Sequence, residues 1–197
     1  GRFPDIHSIV NQLRLAFGQE LPLKNQNILI TAGPTREHID PVRFISNRSS
    51  GKMGYALAKE AKNLGANVTL ISGPVHLDPI TDVEMINVES TLDMKNELDN
   101  YIVSINQINY VFMVAAVADY IIKDPSQSKI KRNSNGLDVE FNQAPDLIKN
   151  FSKKTDATII GFALETENGE YNAKKKMANK NLDYIVERSN FFQNWNK

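Results

Sequence analysis

Short apolar runs alternate with helix-like segments along most of the chain, and this alternation limits the folds that the chain can adopt. Strands are predicted at 27–32, 67–72, 83–88 and 110–116, with helices at 51–64 and from Ser90 to about residue 104. Ser90 followed by Asp93 forms a capping-box pattern at the start of the second helix. The run at 110–116 is apolar almost throughout, which is typical of a parallel strand covered on both faces. The pattern predicts an α/β fold with a doubly wound, mainly parallel, Rossmann-like sheet.

The alternation is interrupted after residue 116. The dipeptide Asn135-Gly136 lies between 129–132 and 137–141, which predicts an inserted β-hairpin, or flap. The alternation then resumes with a helix at 145–153, a strand at 157–162, a helix at 169–180 and a strand at 183–186. The last eleven residues have no convincing period. Residues 1–26 carry one short amphipathic helix and a polar linker, so the main domain is predicted at 27–197.

A long polar loop follows the first predicted strand and ends at Ser49, Ser50 and Gly51, where a helix begins. Loops of this length within a compact domain are usually functional or disordered. Unpaired backbone N–H groups and the helix dipole favour an anion at a helix N-terminus. We therefore predict that this loop binds a substrate and that its last three residues contact an anion.

Composition excludes several classes of function. The chain of 197 residues has 23 basic and 23 acidic side chains, which argues against nucleic-acid binding by bulk electrostatics. It contains no cysteine, so disulfides, thiolate catalysis and cysteine–zinc sites are ruled out. Its three histidines lack metal-ligand spacing. No apolar run is long enough to span a membrane and no signal peptide opens the chain, so we expect a cytoplasmic protein.

Small and acidic residues end the fourth predicted strand, from Ala115 to Asp119. Ligands of open α/β sheets bind beyond the carboxyl ends of the strands. The alanines there would let a planar group approach the backbone, and Asp119 could accept hydrogen bonds from a ribose or a base amine. Equally, the alanines could serve packing alone and Asp119 could cap a helix. Phe162, after another apolar strand, either stacks on a base or belongs to the core.

Two pairs of lysines are candidates for phosphate binding. Lys129 and Lys131 alternate on one face of a predicted strand, and Lys176 and Lys180 lie one turn apart on a helix. Each pair alone fits a solvated surface equally well, whereas together they would suit a triphosphate. No Ser/His/Asp set or carboxylate pair is evident, so an enzyme of this sequence would act by positioning and charge stabilisation.

A plain dinucleotide-binding site fits the first loop poorly. That site needs the pattern G-x-G-x-x-G at the first turn and an acidic residue after the second strand. Here Gly33 is followed by no glycine until Gly51, and the second strand ends with Ser72-Gly73-Pro74. An NAD(P)-dependent oxidoreductase is therefore disfavoured.

Several ordered motifs identify a family. The motifs ITAGPTRE, DPVRFISNRSSGKMG, NVTLISGPV, AAVADY, KIKR and GFALET, followed by KKKMANKNLDY, cover about residues 27–185. In this order they resemble the phosphopantothenate–cysteine ligase domain of bacterial bifunctional coenzyme A biosynthesis proteins. The opening GRFPDIHSIV resembles the tail of the flavin-dependent decarboxylase that precedes this domain, so FMN is expected in that decarboxylase and not in this chain. Because the family continues beyond the KNLD segment, we expect the C-terminus to be incomplete.

The resemblance implies a two-step reaction. The carboxylate of 4′-phosphopantothenate attacks the α-phosphate of CTP, which releases pyrophosphate and forms an acyl-cytidylate. The amine of L-cysteine then displaces CMP and forms the amide. Magnesium assists with the triphosphate, and family members are homodimers. A non-catalytic module of the same fold that binds CTP is the alternative from a different class.

The resemblance also implies roles for individual residues. Asn47 would handle the acyl-cytidylate, Lys129 in the flap would neutralise phosphate charge, and Arg43 would complete the catalytic set. Ser49, Ser50 and Gly51 are the predicted site for the phosphate of phosphopantothenate. The predicted nucleotide contacts are Ala115, Ala116, Asp119, Lys129, Ala144, Pro145, Asp146, Phe162, Lys176 and Lys180. The metal ligands are not identified.

Overall fold

A computed structural model describes residues 6–105, 107–132, 136–165 and 169–189 of the chain. In chain order its elements are α1 (Ile6–Ala16), β1 (Asn27–Ala32), β2 (Arg36–His38), β3 (Phe44–Ser46), α2 (Lys52–Asn63), β4 (Asn67–Ser72), β5 (Glu84–Asn87), α3 (Thr91–Ser104), β6 (Tyr110–Met113), β7 (Tyr120–Ile122), β8 (Phe141–Gln143), α4 (Leu147–Ser152), β9 (Thr158–Glu165), α5 (Gly169–Lys180) and β10 (Tyr184–Ser189).

The central sheet has six strands in the order β10-β9-β6-β1-β4-β5, and every neighbouring pair is parallel. From β1 the chain builds one side of the sheet with β4 and β5, then crosses to the other side with β6. The strand order therefore reverses between β1 and β6, which is where open α/β sheets bind their ligands. The predicted Rossmann-like, doubly wound fold is confirmed.

Helices cover both faces of the sheet, because successive residues of a strand point to opposite faces. Ile28 and Ile30 of β1 pack with Ala58 of α2 on one face. Leu29 of β1 packs with Met94 of α3 on the other face, in a cluster that extends to α4. These β1 side chains are buried. The near-continuous apolar character of the strands thus follows from burial on both sides.

Most predicted elements are confirmed, including the capping box at α3, where Ser90 and Asp93 exchange hydrogen bonds. Three differences concern strand ends. β9 continues to Glu165 instead of residue 162, so Phe162 lies within the strand and not after it. β10 continues to Ser189, into the stretch that has no convincing period in the sequence, whereas residues 190–197 lie outside the described part. β6 ends at Met113 instead of residue 116, because the N–H groups of Val114 and Ala115 bond to the Thr31 hydroxyl, at 3.1 and 3.2 Å.

The inserted antiparallel pair exists, but the prediction of its strands was wrong. β7 pairs with β8, whereas residues 129–132 and 137–140 form no strand. The backbone N–H of Ile130 donates instead to the Asp40 carboxylate at 3.1 Å, so a side chain replaces the ladder partner. Asn135 lies outside the described residues. The long loop after β1 contains a second pair, β2 with β3, which the sequence analysis missed because each strand has only three residues.

Within the described part of the chain, no helix has both the length and the apolar composition needed to cross a membrane.

The helix α1 lies beside α2, where the Asn11 side-chain amide donates to the Asn63 carbonyl. The predicted boundary between a linker at 1–26 and the domain at 27–197 stays a prediction.

Candidate functional site

A cavity of about 470 Å³ opens at the carboxyl ends of β1 and β6, at the point where the strand order reverses. Three separate segments of sequence meet there: the turn after β6, the residues before α4, and one face of α5. Seven of the ten predicted nucleotide contacts line this cavity, namely Ala115, Asp119, Ala144, Pro145, Asp146, Lys176 and Lys180. Ala116, Lys129 and Phe162 are not among its lining residues.

The backbone of residues 114–118, here called the 114–118 loop, is tied to the chain that follows β1. In addition to the two bonds at Thr31, the Ala116 N–H donates to the Gly33 carbonyl at 2.8 Å. The Ala118 N–H donates to the Thr35 hydroxyl at 3.0 Å. These bonds hold one wall of the cavity in a single backbone conformation.

Asn47 directly follows β3 and reaches the same loop. Its side-chain Nδ2 donates to the Ala116 carbonyl at 3.1 Å and to the Val117 carbonyl at 3.0 Å. Two carbonyl acceptors use both amide hydrogens and fix the orientation of the amide, so further hydrogen bonds of this side chain go through the acceptor Oδ1. Ala116 therefore contributes to the site through its backbone, by contact with Asn47.

Arg43 binds a buried carboxylate and the backbone of the segment that contains Lys129. Its Nε donates to Asp40 Oδ2 at 3.0 Å, and its Nη2 donates to the same oxygen and to the Ile130 carbonyl, the latter at 2.7 Å. Asp40 also accepts from three backbone N–H groups, those of Val42, Arg43 and Ile130. Arg43 thus connects the β2–β3 pair to the segment at residue 130.

The charge and hydrogen bonds around Asp40 keep it ionised. The Arg43 guanidinium holds the pKa of the Asp40 carboxyl well below its usual range, although burial acts in the opposite direction. The backbone N–H groups that point at the carboxylate lower this pKa further. Asp40 is therefore a carboxylate at neutral pH.

Lys129 precedes Ile130 and is exposed. The structure does not bring its side chain into the lining of the cavity, although its neighbour Ile130 is held by Asp40 and Arg43. Lys131 is exposed as well.

Lys176 and Lys180 lie at the end of the cavity formed by α5. Lys176 Nζ donates to the Phe162 carbonyl at 2.8 Å, and Lys180 Nζ lies 3.4 Å from Asp146 Oδ2. Asp146 also caps α4, since its Oδ1 accepts from the Lys149 N–H at 3.1 Å. The predicted one-turn spacing of the two lysines is therefore realised. For Phe162, the described contact is made by its carbonyl group.

Ser49, Ser50 and Gly51 lie at the N-terminus of α2, which no side chain caps. Gly51 has a φ of 73°, and a Cβ there would lie 2.7 Å from Val75 Cγ1. The Ser49 hydroxyl accepts from the Gly51 N–H at 3.4 Å, and Ser50 is exposed. α2 packs on the sheet face opposite to α3, whose Met94 and Leu98 line the cavity. The predicted anion site and the cavity thus share one sheet edge but lie on different faces.

The sequence analysis missed two residues with direct roles in this architecture, Thr31 and Asp40. Both are buried polar side chains inside the motif that follows Ile30. A signal was present, because polar residues are expected to be buried only where they are hydrogen-bonded. Their burial itself could not be read from the sequence. Among the described residues, no group of three His, Cys, Asp or Glu side chains could hold a metal ion.

Comparison with known proteins places these observations in a family. The sequence model of the DNA/pantothenate metabolism flavoprotein C-terminal domain matches residues 23–193. The chain is 45% identical over 191 residues to the coenzyme A biosynthesis bifunctional protein CoaBC of Bacillus subtilis (strain 168), and 42% identical over 190 residues to the protein of the same name from Escherichia coli (strain K12). Each alignment covers 94% of this chain and 46% of the relative, so the chain spans about half the length of these curated relatives.

The fold is also found in a solved structure. The crystal structure of the C-terminal domain of coenzyme A biosynthesis bifunctional protein CoaBC superposes with a TM-score of 0.74 at 42% identity. The superposition covers 86% of this chain and 80% of that chain.

Proposed function

The chain belongs to the DNA/pantothenate metabolism flavoprotein C-terminal domain family, and from this premise we propose that it is a ligase of coenzyme A biosynthesis. It joins 4′-phosphopantothenate to L-cysteine, and CTP activates the carboxylate. The names of the two relatives and of the similar C-terminal domain support the pathway. The ordered motifs support the ligase activity.

One observation carries the proposal. The 114–118 loop, the residues before α4 and the lysines of α5 converge on one cavity, although the sequence separates them by dozens of residues. Such a cavity offers apolar side chains of the 114–118 loop, an acceptor at Asp119 and two cations at Lys176 and Lys180. This combination suits a nucleoside triphosphate, whose base, ribose and phosphates need these three kinds of contact.

In the first step, an oxygen of the phosphopantothenate carboxylate forms a bond to the α-phosphorus of CTP, and the bond from that phosphorus to the β-phosphate oxygen breaks. Pyrophosphate leaves with its electron pair. The substrate supplies the nucleophile, so the protein has to align the groups and stabilise charge. We assign this charge stabilisation to Lys129, which Arg43 would bring into place through its bond to the Ile130 carbonyl.

In the second step, the amine of cysteine attacks the acyl carbonyl, CMP leaves with the electrons of the acyl–oxygen bond, and the nitrogen releases one proton to water. Asn47 is the residue assigned to this step. Because its Nδ2 already donates to two carbonyls, its contribution would come from Oδ1, which can accept a hydrogen bond from the attacking amine and orient it. The N-terminus of α2, with Ser49, Ser50 and Gly51, would hold the phosphate of phosphopantothenate.

Magnesium fits this site as the counter-ion of the triphosphate. Protein sites commonly bind Mg²⁺ through substrate phosphates and water with only one or two carboxylates, so a preformed cluster of acidic residues is not required.

The homodimer and the cytoplasmic location stay predictions. Apolar side chains of β3 and of the turn before it are exposed and would be covered in a subunit contact. They are Val42, Phe44 and Ile45, with exposed fractions of 59%, 44% and 43%. Sedimentation equilibrium of the purified chain would measure its mass in solution and test this prediction.

The assay that tests the function measures pyrophosphate release with CTP, phosphopantothenate and cysteine, each omitted in turn. Release that requires CTP and phosphopantothenate, with amide product that requires cysteine, supports the ligase. CTP binding without any release supports a non-catalytic nucleotide-binding module instead. Replacing CTP with ATP in the same assay measures the preference for the base.

A further inference from the structure

A chain of buried polar groups connects Glu37 to the 114–118 loop. Glu37, Thr35 and Thr91 have exposed fractions of 5%, 0% and 0%. The Thr91 hydroxyl lies 2.7 Å from Glu37 Oε1 and 3.0 Å from the Thr35 hydroxyl. The Thr35 hydroxyl in turn accepts from the Ala118 N–H at 3.0 Å. Residues from β2, α3 and the turn after β6 are thereby joined in one network.

The donors in this network can be assigned from simple chemistry. A carboxylate only accepts, so the single hydrogen of the Thr91 hydroxyl points to Glu37. Thr91 must then accept from Thr35, and the single hydrogen of Thr35 is used for that bond. The lone pairs of the Thr35 hydroxyl therefore remain for the Ala118 N–H. Both hydroxyl groups of this network therefore donate in the direction of Glu37, because its carboxylate can only accept.

Local structure explains why a carboxylate is stable in this place. Glu37 is the middle residue of β2 and the one of the three that points inward. Its Oε1 also accepts from the backbone N–H of Thr91, at 3.1 Å, in the first turn of α3. An unpaired N–H group and the dipole at a helix N-terminus both favour a negative charge. Glu37 is thus satisfied by α3 and stays in one orientation.

We propose that Glu37 and Thr91 are positioning residues for nucleotide binding, which act through Thr35 to hold the Ala118 N–H and thereby the wall of the cavity that ends at Asp119. The proposal rests on the function proposed above. Without the Thr35 acceptor, a partly buried N–H would lack its partner, and the loop would shift to satisfy it. The nucleotide would then bind to a wall that is no longer preformed, which weakens binding.

The sharpest test removes one hydroxyl without changing side-chain shape. Thr35→Val is expected to raise the KM for CTP about tenfold, with a smaller change in kcat, and Thr35→Ser is expected to restore it. Thr69→Val is the matched control. Thr69 is also buried, and its hydroxyl donates to Glu84 at 2.7 Å. It lies on β4, which pairs with β1 and β5 and not with β6, the strand that leads into the 114–118 loop.

A second pair of variants tests Glu37 itself. Glu37→Gln keeps a carbonyl oxygen that can accept from Thr91, so its KM for CTP should stay within about threefold of the wild type. Glu37→Leu removes the acceptor and should raise the KM to the level of Thr35→Val. Urea unfolding of each variant shows whether it is folded at the assay temperature.

Amide hydrogen exchange at Ala118, followed by NMR on the whole chain, reads out the network without any substrate. The proposal expects slow exchange in the wild type and in Thr69→Val, and faster exchange in Thr35→Val. Equal KM values in Thr35→Val and Thr69→Val would overturn it. If the wild type releases no pyrophosphate, the ligase assignment fails. The exchange data then test the positioning role separately, and equal exchange of the Ala118 N–H in the wild type and in Thr35→Val would overturn that role as well.

Discussion

The 114–118 loop and the segment at residues 123–132, here called the flap segment, are held by the same stretch of chain in different ways. The loop is fixed along its whole length by neutral hydrogen bonds. Its N–H groups donate to Thr31, Gly33 and Thr35, and its carbonyls accept from Asn47. The flap segment is held around Ile130 by the charged pair of Asp40 and Arg43. A further backbone bond joins Ser126 to Ile39 at 2.9 Å.

The 114–118 loop is therefore a preformed wall of the cavity, whereas the position of the flap segment depends on one buried charge. The many neutral hydrogen bonds of the loop do not depend on pH. At Ile130 the flap segment depends on the Asp40 carboxylate, which accepts from the Ile130 N–H and holds Arg43, the donor to the Ile130 carbonyl. We infer that the loop supplies the permanent nucleotide surface, whereas the flap segment supplies a cation, Lys129, whose position depends on the state of Asp40.

The largest effect is expected at Asn47, which joins the β2–β3 pair to the loop. In Asn47→Asp, a carboxylate would face the carbonyl oxygens of Ala116 and Val117 and could donate to neither. Amide formation should fall about a hundredfold. Quenched-flow measurement should show pyrophosphate released in a first burst while the acyl-cytidylate accumulates. Amide formation at the wild-type rate would show that Asn47 has no role in the second step.

The second-largest effect is expected at Lys129, on the rate of pyrophosphate release. Lys129→Gln removes the cation that we assign to the transferred phosphate, and pyrophosphate release should slow about thirtyfold. Lys131→Gln, two residues away and equally exposed, is the control and should keep most of the activity. An equal loss in both variants would indicate a general effect of basic charge in the flap segment and contradict a specific role of Lys129.

A substitution of Lys176 tests the contribution of a charged side chain that lines the cavity. Lys176→Met keeps most of the aliphatic side chain but removes the charge, so the KM for CTP should rise about tenfold while kcat changes less. Lys175→Met is a suitable control, because Lys175 is exposed and does not line the cavity. The salt dependence of CTP binding, measured by calorimetry, should be weaker in Lys176→Met than in the control.

Much of the fold could be predicted from the sequence. Long apolar strands and the capping box at Ser90 are local signals, and they gave the central sheet and its helices. The place of Asp119 beyond a strand end also followed, because ligands of open α/β sheets bind at the carboxyl ends of the strands. Asp146 and Lys180 were assigned to the same site through the family resemblance, because they belong to helices and no local signal in the sequence brings them to Asp119. The two hydrogen bonds from Asn47 to backbone carbonyls could not be predicted, because every residue has a backbone carbonyl and the sequence does not show which ones will be acceptors.

The flap shows where local signals fail. The Asn-Gly dipeptide predicted strands that flank it directly, but a buried carboxylate far away in sequence takes the N–H of Ile130. The short β2, β7 and β8 strands depend on such tertiary contacts and have three residues each. Side-chain groups that bind backbone compete with ladder formation, and this competition is decided by the fold as a whole.

Asp40 predicts a pH dependence with a definite sign. Its pKa is depressed in the folded protein, so its contribution to stability is fully present above the ordinary value of about 3.9 and is lost as the pH falls further. Asp40→Asn should therefore lower the urea midpoint at pH 7, and the difference from the wild type should narrow below pH of about 4. A difference that stays constant between pH 7 and pH 3 would show that the folded and unfolded carboxyls titrate alike.

The smallest effect is expected at Lys123, at the start of the flap segment. Lys123 Nζ lies 2.7 Å from Glu140 Oε2, and the side chains are 49% and 71% exposed. Exposed ion pairs contribute little because water and salt screen them, so Lys123→Met should change the free energy of unfolding by less than about 1 kcal/mol. The backbone bond from the Lys123 N–H to the Glu140 carbonyl, at 3.0 Å, remains in the variant. Urea unfolding at low and high salt would measure the change, and a loss well above that of other surface variants would mean that the flap segment is held by surface charge as well as by Asp40.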